Sequence, residues 1–553
     1  MTAKGNRLQN PMLTEKFISP LFFLLFLLTG LLMYDDYGLS WDAEYCRERG
    51  DLNYHYIHHF FSSSSETPSK TEFMQEWEAY PYHDHGVFFD LLAYSLEKLT
   101  GVETGRNAYL LRHLLIFLFF FSGSIFFYFI LRKRMNWKYA LAGVFFLILS
   151  PRIFAHAFFN PKDIVFMSAV TASIYTAMRF MQKSSPKNII LFALAGAIAI
   201  DIRITGLFIP IIVLVLFVMF ALTDRKGLTT VSLKVLAYIL LLSGFIILFW
   251  PYLWNKPLAS FADSISSLSA YAWDDNILYM GKWISATDVP WHYIPVWVGI
   301  STPILYLLLF GSGLAAIIKG FDPHLKKWDT RFDLLITGFL FVPLLAVILL
   351  QSTLYDGWRQ LYFIYPAFLI IAMCGLKYLF SWRISGGGRI NKFFSIALLG
   401  ILILHAVFMV RQMIRLHPFQ HLYFNLLAGE NPETKYDLDY WGLSYRATYE
   451  KLLEEVKADS IFFVPANNAG FINLNILQEE QKQKLIPLSW DSARYFVTNY
   501  RWVDRQKVSD KEYPYKNEVF SINKNGMKIS GVYILREKAK IPGKKEYSES
   551  QEQ

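Results

Sequence analysis

Residues 108–134 read AYLLRHLLIFLFFFSGSIFFYFILRKR. This run is long and apolar, and it ends in Arg132, Lys133 and Arg134. About 20 apolar residues rising 1.5 Å each cross a hydrocarbon core of roughly 30 Å. A basic cluster marks the cytoplasmic end of such a segment. Similar runs recur from Phe17 to Val410, and the residues beyond them have a water-soluble composition. Of the 553 residues 54% are hydrophobic and 18% charged, against roughly a quarter charged in ordinary soluble chains. The chain reads as an α-helical polytopic membrane protein.

Spans are expected at 17–33, 108–131, 139–151, 163–181, 188–200, 206–222, 231–250, 292–318, 333–351, 359–380 and 393–410. That is about eleven crossings, the runs at 139–151 and 188–200 being the shortest. With the N-terminus inside, the inner connections carry Arg132 to Arg134 and Lys138, Lys183 and Lys187, then Arg225 and Lys226. Lys319, Lys326, Lys327 and Arg331 follow, then Arg383, Arg389 and Lys392, so each inner connection is basic. The net charge of +9 is thereby spread along the membrane and does not point to nucleic acid. The first run follows Lys4, Arg7 and Lys16 with no small-residue cleavage pattern after it, as in an uncleaved signal anchor. Cys46 and Cys374 fall in a loop and a span, so no structural disulfide is expected.

This threading makes 1–410 a membrane domain with a long first outer loop at 34–107, followed by an outer soluble domain at 411–542 and a charged tail at 543–553. The other outer segments are 151–162, 200–206, 251–291 and 351–358. Ser62 to Ser65 read as a soft linker, and 88–99 and 258–271 as amphipathic surface helices. The soluble part reads as a small α/β or α+β domain. It has a helix at Ala447–Val456, strands at Ser460–Val464 and Tyr495–Trp502, and a hairpin within Val519–Leu535 turning at Asn525-Gly526.

Candidate chemistry sits in those outer segments. In SWDAE (40–44), Asp42 and Glu44 lie where the chain leaves the bilayer, and partial desolvation there raises a carboxylate's basicity. An ordinary interfacial loop would look the same. In SPRIFAHAFFNPKD (150–163), Asn160 caps and Pro161 opens the next helix, placing Asp163 in its first turn beside Arg152, His156 and Lys162. The bland account of Asp163 is a helix-dipole anion. In YDGWRQ (355–360), Asp356 accompanies Arg359, a guanidinium at headgroup depth suited to phosphate or simply snorkelling. Asp201 and Arg203 share a tight turn and could neutralise each other. The histidines 55, 58, 59, 83 and 85 match no helical metal motif, and no phosphate loop or nucleophile elbow occurs. More telling than any one motif, topology gathers Asp42, Asp163, Arg203 and Arg359 at one membrane face.

On these residues the chain resembles the C-class glycosyltransferases, multi-spanning enzymes that use polyprenyl-phosphate sugars. It is most similar to bacterial relatives of the protein mannosyltransferases and aminoarabinose transferases. The likeness runs over 17–410 and rests on Asp42 in SWDAE, Asp163 in NPKD, DIRITGL (201–207) and YDGWRQLYFIYP (355–366). HPFQHLYFN and YDLDYWGLSY, between His417 and Tyr445, add to it. Ala43 separates Asp42 from Glu44 where the family has adjacent acids, which leaves Asp35 and Asp36 as rivals for the essential acid.

The resemblance implies inverting transfer of a sugar from a polyprenyl-phosphate donor to a lipid, glycan or protein acceptor, at the outer face of a bacterial inner membrane. Asp42 would be the base or an acceptor-orienting group, with Glu44 beside it. Asp163 would orient the acceptor or hold a divalent cation, the one cofactor considered; metal ligands stay unassigned. Arg359, Arg203, Arg152 and Lys162, with Asp356 and His156 nearby, would hold the phosphate, and membrane lipids would surround the whole. The alternatives are an oligosaccharide ligase or polymerase, a lipid or ion transporter, and a non-catalytic scaffold.

Overall fold

The computed structural model describes residues 11–61, 77, 79–102, 105–269, 273, 275–382, 387–503 and 517–535. The expected linker at 62–65, the tail at 543–553, and Lys4, Arg7, Arg383 and Tyr271 lie outside them. The chain begins with α1 (Pro11–Met33), then α2 (Ala43–Phe61) and α3 (Phe88–Thr100) in the first outer segment, and α4 (Arg106–Arg132). Next come α5 (Trp137–Ile148), α6 (Pro151–Phe159), α7 (Asp163–Gln182), α8 (Pro186–Ile202), α9 (Phe208–Thr223) and α10 (Leu228–Phe249). After α11 (Pro257–Ser269) follow α12 (Tyr293–Ser301), α13 (Ile304–Gly320), α14 (Trp328–Leu349), α15 (Tyr365–Ser381), α16 (Gly388–Leu416) and, in the soluble part, α17 (Ser444–Glu455).

Among the described residues eight helices are long and apolar enough to cross a bilayer, or ten when two bent pairs each count as one. This is a multi-pass membrane protein. The expected run at 188–200 is a 17-residue helix, α8. The expected span at 139–151 is instead a broken one. α5 stops at Ile148, Pro151 opens α6, and the two axes meet at 69°. All nine residues of α6 are buried, so the segment read as an outer loop is part of the core. Its apolar content exceeds what a solvated loop tolerates, and proline at the first helical position resets the chain direction. The Ser150 hydroxyl donates to Phe146 O at 2.8 Å, which meets a carbonyl at the end of α5.

The second break lies between α12 and α13, which meet at 120°. A broken helix at membrane depth leaves carbonyls without partners unless other groups satisfy them. Here Asn425 does so: its side-chain amide donates to Gly299 O and Thr302 O, both at 2.6 Å, and its own N–H donates to Ile300 O at 2.8 Å. Beyond the break, α13 and α15 cross almost backbone to backbone. A Cβ on Gly313 would lie 1.9 Å from Ile371 O, and one on Gly375 2.0 Å from Leu309 O. Small residues permit such close helix contact.

Outside the spans, α3 buries Phe89, Asp90, Ala93, Tyr94 and Glu97 on one side. The expected surface helix therefore packs against protein along one face. Arg49 of α2 is ion-paired with Asp90, and Glu97 with Arg47 and Arg112. The two-stranded β1 (Asn276–Tyr279) and β2 (Lys282–Ser285) form a hairpin before α12. The soluble part holds β3 (Ile461–Pro465), β4 (Leu485–Pro487), β5 (Tyr495–Thr498), β6 (Glu518–Lys524) and β7 (Met527–Ile534). They form a mixed sheet ordered β4-β3-β5-β7-β6, with β3 parallel to both its neighbours. The β6–β7 turn falls at Asn525 (φ 50°) and Gly526 (φ 83°), the paired left-handed geometry that Asn-Gly favours. Asn473 ties this part to the first outer segment. It accepts from Leu39 N and donates to Leu39 O, Gly442 O and Ala469 O, all within 3.1 Å.

Candidate active site

Where α2 begins, Trp41 N donates to Trp441 O at 3.2 Å, and Asp42 follows it. Asp42 lines a cavity of about 950 Å³ formed between the segment after α1, the adjoining ends of the spans and the C-terminal part. Its carboxylate has no ion-pair or hydrogen-bond partner among the described residues. Lys162, Arg203, Asp356 and Arg359 line the same cavity. Glu44 does not, nor do Asp35 and Asp36; Asp36 is held by His417 at 3.0 Å.

Asp163 sits just behind the cavity wall with its side chain 1% exposed. Asn160 positions it: the amide oxygen accepts from Lys162 N at 3.1 Å and Asp163 N at 2.8 Å, and Nδ2 donates to Asp163 Oδ2 at 2.9 Å. Asn160 thus organises the turn as expected, but α7 starts at Asp163, not at Pro161. Asp163 Oδ1 lies 2.8 Å from Arg203 Nη1, and Oδ2 lies 3.2 Å from Arg359 Nη1. Arg359 Nη2 reaches Asp356 at 3.3 Å, and the other oxygen of Asp356 meets Arg501 Nη2 at 3.1 Å. The result is an alternating ladder, Arg203–Asp163–Arg359–Asp356–Arg501, with one guanidinium more than carboxylates. Guanidiniums held in place in this way, Arg359 buried and Arg203 and Arg501 partly so, suit a phosphate.

The same ladder bears on two expectations. Both oxygens of Asp163 face guanidinium groups, an arrangement that does not fit a cation ligand. Among the described residues no group of three or more His, Cys, Asp or Glu is placed to hold a metal. Asp201 does not neutralise Arg203. Its carboxylate accepts from Phe88 N at 2.6 Å, and the chain at Gly86 presses on its backbone so closely that a Cβ there would lie 1.6 Å from Asp201 O.

Lys162 is the cationic group in the cavity without an ion pair among the described residues. Burial, with Arg49 and Arg203 nearby, pushes its ammonium down to about 8. His85, on the same wall, is pushed down to about 3 by burial and by Lys162, and so stays neutral. Arg152 and His156 are elsewhere. Arg152 donates to Tyr423 O at 3.0 Å and lies over the Phe424 ring at 4.6 Å. His156 is 2.9 Å from Asn160 Nδ2 and packs beside Trp441 and His421. Both are buried supports, not cavity groups, because the segment expected to be an outer loop is the buried α6.

Cavity residues outside the expected set include Arg49, Trp441 and Arg501. Trp441 covers Arg359 at 4.6 Å and falls within the familiar His417–Tyr445 segment, which offered a signal. Arg501 follows strand β5 in a part of the sequence with no recognisable motif.

Residues 84–254 match the family model of the dolichyl-phosphate-mannose-protein mannosyltransferases. No curated protein matches the chain in sequence. Among solved structures, ArnT from Cupriavidus metallidurans in the apo state superposes with a TM-score of 0.50 at 12% identity, covering 94% of this chain and 98% of that one. The chain therefore shares the fold of that membrane protein over nearly the whole length of both. Two further matches, with lower scores, are ArnT bound to undecaprenyl phosphate and an archaeal protein. The first has a TM-score of 0.47, 12% identity and coverage of 92% and 97%. The second is the oligosaccharyltransferase AglB from Archaeoglobus fulgidus, with an inhibitory peptide and a dolichol-phosphate, at 0.48, 12%, and 88% and 70%. The family-matched interval holds Lys162, Asp163 and Arg203, whereas Asp42, Arg359 and Arg501 lie outside it.

Proposed function

We propose that the protein transfers one sugar from a polyprenyl-phosphate donor to an acceptor hydroxyl at the outer face of a bacterial inner membrane. The observation that carries this reading is the pairing of an unpartnered carboxylate, Asp42, with the cations of Lys162, Arg203 and Arg359 around one cavity. Asp42 takes the proton from the acceptor hydroxyl as its oxygen bonds to the anomeric carbon. The bond from that carbon to the phosphate oxygen breaks, and the lipid phosphate leaves with the electron pair. The departing charge is met by Arg359 and Arg203, which Asp163 and Asp356 hold in place, and by Lys162. Prepositioned charge of this kind lowers the barrier without a general acid. A single displacement inverts the anomeric configuration. The basic inner connections support this outward placement, and counting α8 as an eleventh crossing carries the soluble part to the same side.

The test uses membranes carrying wild type or Asp42→Asn, supplied with radiolabelled polyprenyl-phosphate sugars and envelope lipid, glycan and protein extracts. Label should move in wild type and fall by at least about a hundredfold in the variant, the usual contribution of a general base. Undiminished transfer by Asp42→Asn would remove Asp42 from the mechanism. A product carrying a preassembled glycan would favour the ligase reading, and no transfer from any donor would favour transport or a scaffold.

A further inference from the structure

Arg501 and Trp502 enter the cavity from the soluble part, on a turn with unusual backbone geometry. Tyr500 and Trp502 both have φ near +60°, a region bulky residues seldom adopt. Such conformations persist where the surroundings over-determine them. Here Tyr500 N donates to Thr498 Oγ1 at 2.9 Å, its hydroxyl bonds Tyr533 at 2.6 Å, and Asn499 Nδ2 donates to Asp439 O at 2.8 Å. Arg501 closes the ladder, its guanidinium held by Asp356 and the Tyr440 carbonyl.

What the turn does offer is aromatic surface. The Arg501 guanidinium lies 4.5 Å from the Trp502 ring, yet Trp502 remains 39% exposed. Trp41 meets it edge-to-face at 5.9 Å, and Trp273 stacks on Tyr355 at 4.5 Å. All four rings line the cavity, with Asp275 and Gln351 adding polar groups. Aromatic faces in a cavity that also carries carboxylate and amide groups match a pyranose ring, which has an apolar C–H face and a hydroxyl perimeter. An acyl chain would leave those polar groups unpaired.

Trp41 also precedes Asp42 in the chain, while the phosphate-binding cations gather around Lys162, Arg203 and Arg359. We infer that Trp41 and Trp502 form a saccharide subsite that presents the acceptor's sugar ring to Asp42, so that the acceptor is a glycan or glycolipid. This rests on the transferase reading for the acceptor role, but the subsite itself is testable without turnover.

The full chain in phospholipid nanodiscs would be probed by saturation-transfer NMR with methyl glycosides of hexose and hexosamine disaccharides. Binding of radiolabelled undecaprenyl phosphate would be measured in parallel. Wild type and Trp502→Phe should saturate the ring protons of at least one disaccharide. Trp502→Ala should weaken that binding at least tenfold and leave undecaprenyl phosphate binding unchanged. Three results would overturn the inference: no disaccharide bound by wild type, equal saccharide binding by Trp502→Ala, or parallel loss of the lipid phosphate in that variant. Saccharide binding without undecaprenyl phosphate binding in wild type would sustain the subsite and count against the donor reading alone.

Discussion

At the residue scale, Lys162 and Asp163 are chain neighbours with opposite circumstances. Lys162 faces the cavity unpaired, and its ammonium titrates near 8. It is charged below that pH and neutral above it, so phosphate capture should weaken as the pH rises through about 8. In kcat/KM, which reports the free enzyme, an alkaline limb falling about tenfold per pH unit is expected. Lys162→Arg, charged throughout, should remove that limb; a limb that persists in the variant would acquit Lys162. Asp163, by contrast, is enclosed between Arg203 and Arg359. Asp163→Asn leaves the buried Arg359 and the partly buried Arg203 guanidiniums facing each other, and removing one partner of a buried pair costs about 3–5 kcal/mol. Thermal unfolding in detergent should show a clear loss of stability together with loss of donor binding. An unshifted midpoint would contradict the ladder.

These residues also mark how far the sequence could be read. Asp42, Lys162, Arg203, Asp356 and Arg359 were legible because hydrophobic runs and basic connections put their segments at one face. The partners were not. Asp201 and Arg203 look like a pair because they are two residues apart, yet the backbone ends α8 between them and sends Arg203 to Asp163. Arg501 was invisible because nothing in the order of residues says which loop of the soluble part reaches the membrane surface.

At the element scale, Asn160 supports a junction of α6 and α7. It meets the amides of Lys162 and Asp163 and touches both His156 and the Asp163 carboxylate. Asn160→Ala should cost about 1–2 kcal/mol, the upper range for a helix cap, and should raise the donor KM more than it lowers stability alone would explain. Calorimetry beside donor titration would separate the two. The buried α6 was misread as a loop for a related reason. Its flanking Ser-Pro and Asn-Pro pairs are turn signals, and a nine-residue helix between two turns has the outline of a polar connection until burial is known.

On the scale of the whole molecule, the soluble part is a wall of the cavity. Trp441 and Arg501 come from it, and Asn473 locks it to Leu39, three residues before Asp42. A chain ending at residue 410 should insert into membranes yet fail to transfer sugar, because it lacks the cover over Arg359 and the last guanidinium of the ladder. Asn473→Ala should make the soluble part easier to release by limited proteolysis, with donor binding reduced in step. Activity in the truncated chain would show that the membrane core suffices.

The break between α12 and α13 carries a further consequence, one of timing. The carbonyls opened at Gly299 and Thr302 are closed by Asn425, 123 residues later in the chain than Thr302. At a synthesis rate of about 5–20 residues per second, that interval is roughly 6 to 25 s. Through it the ribosome is still delivering α14, α15 and α16 while the kink behind them waits, unsealed, for the residue that completes it.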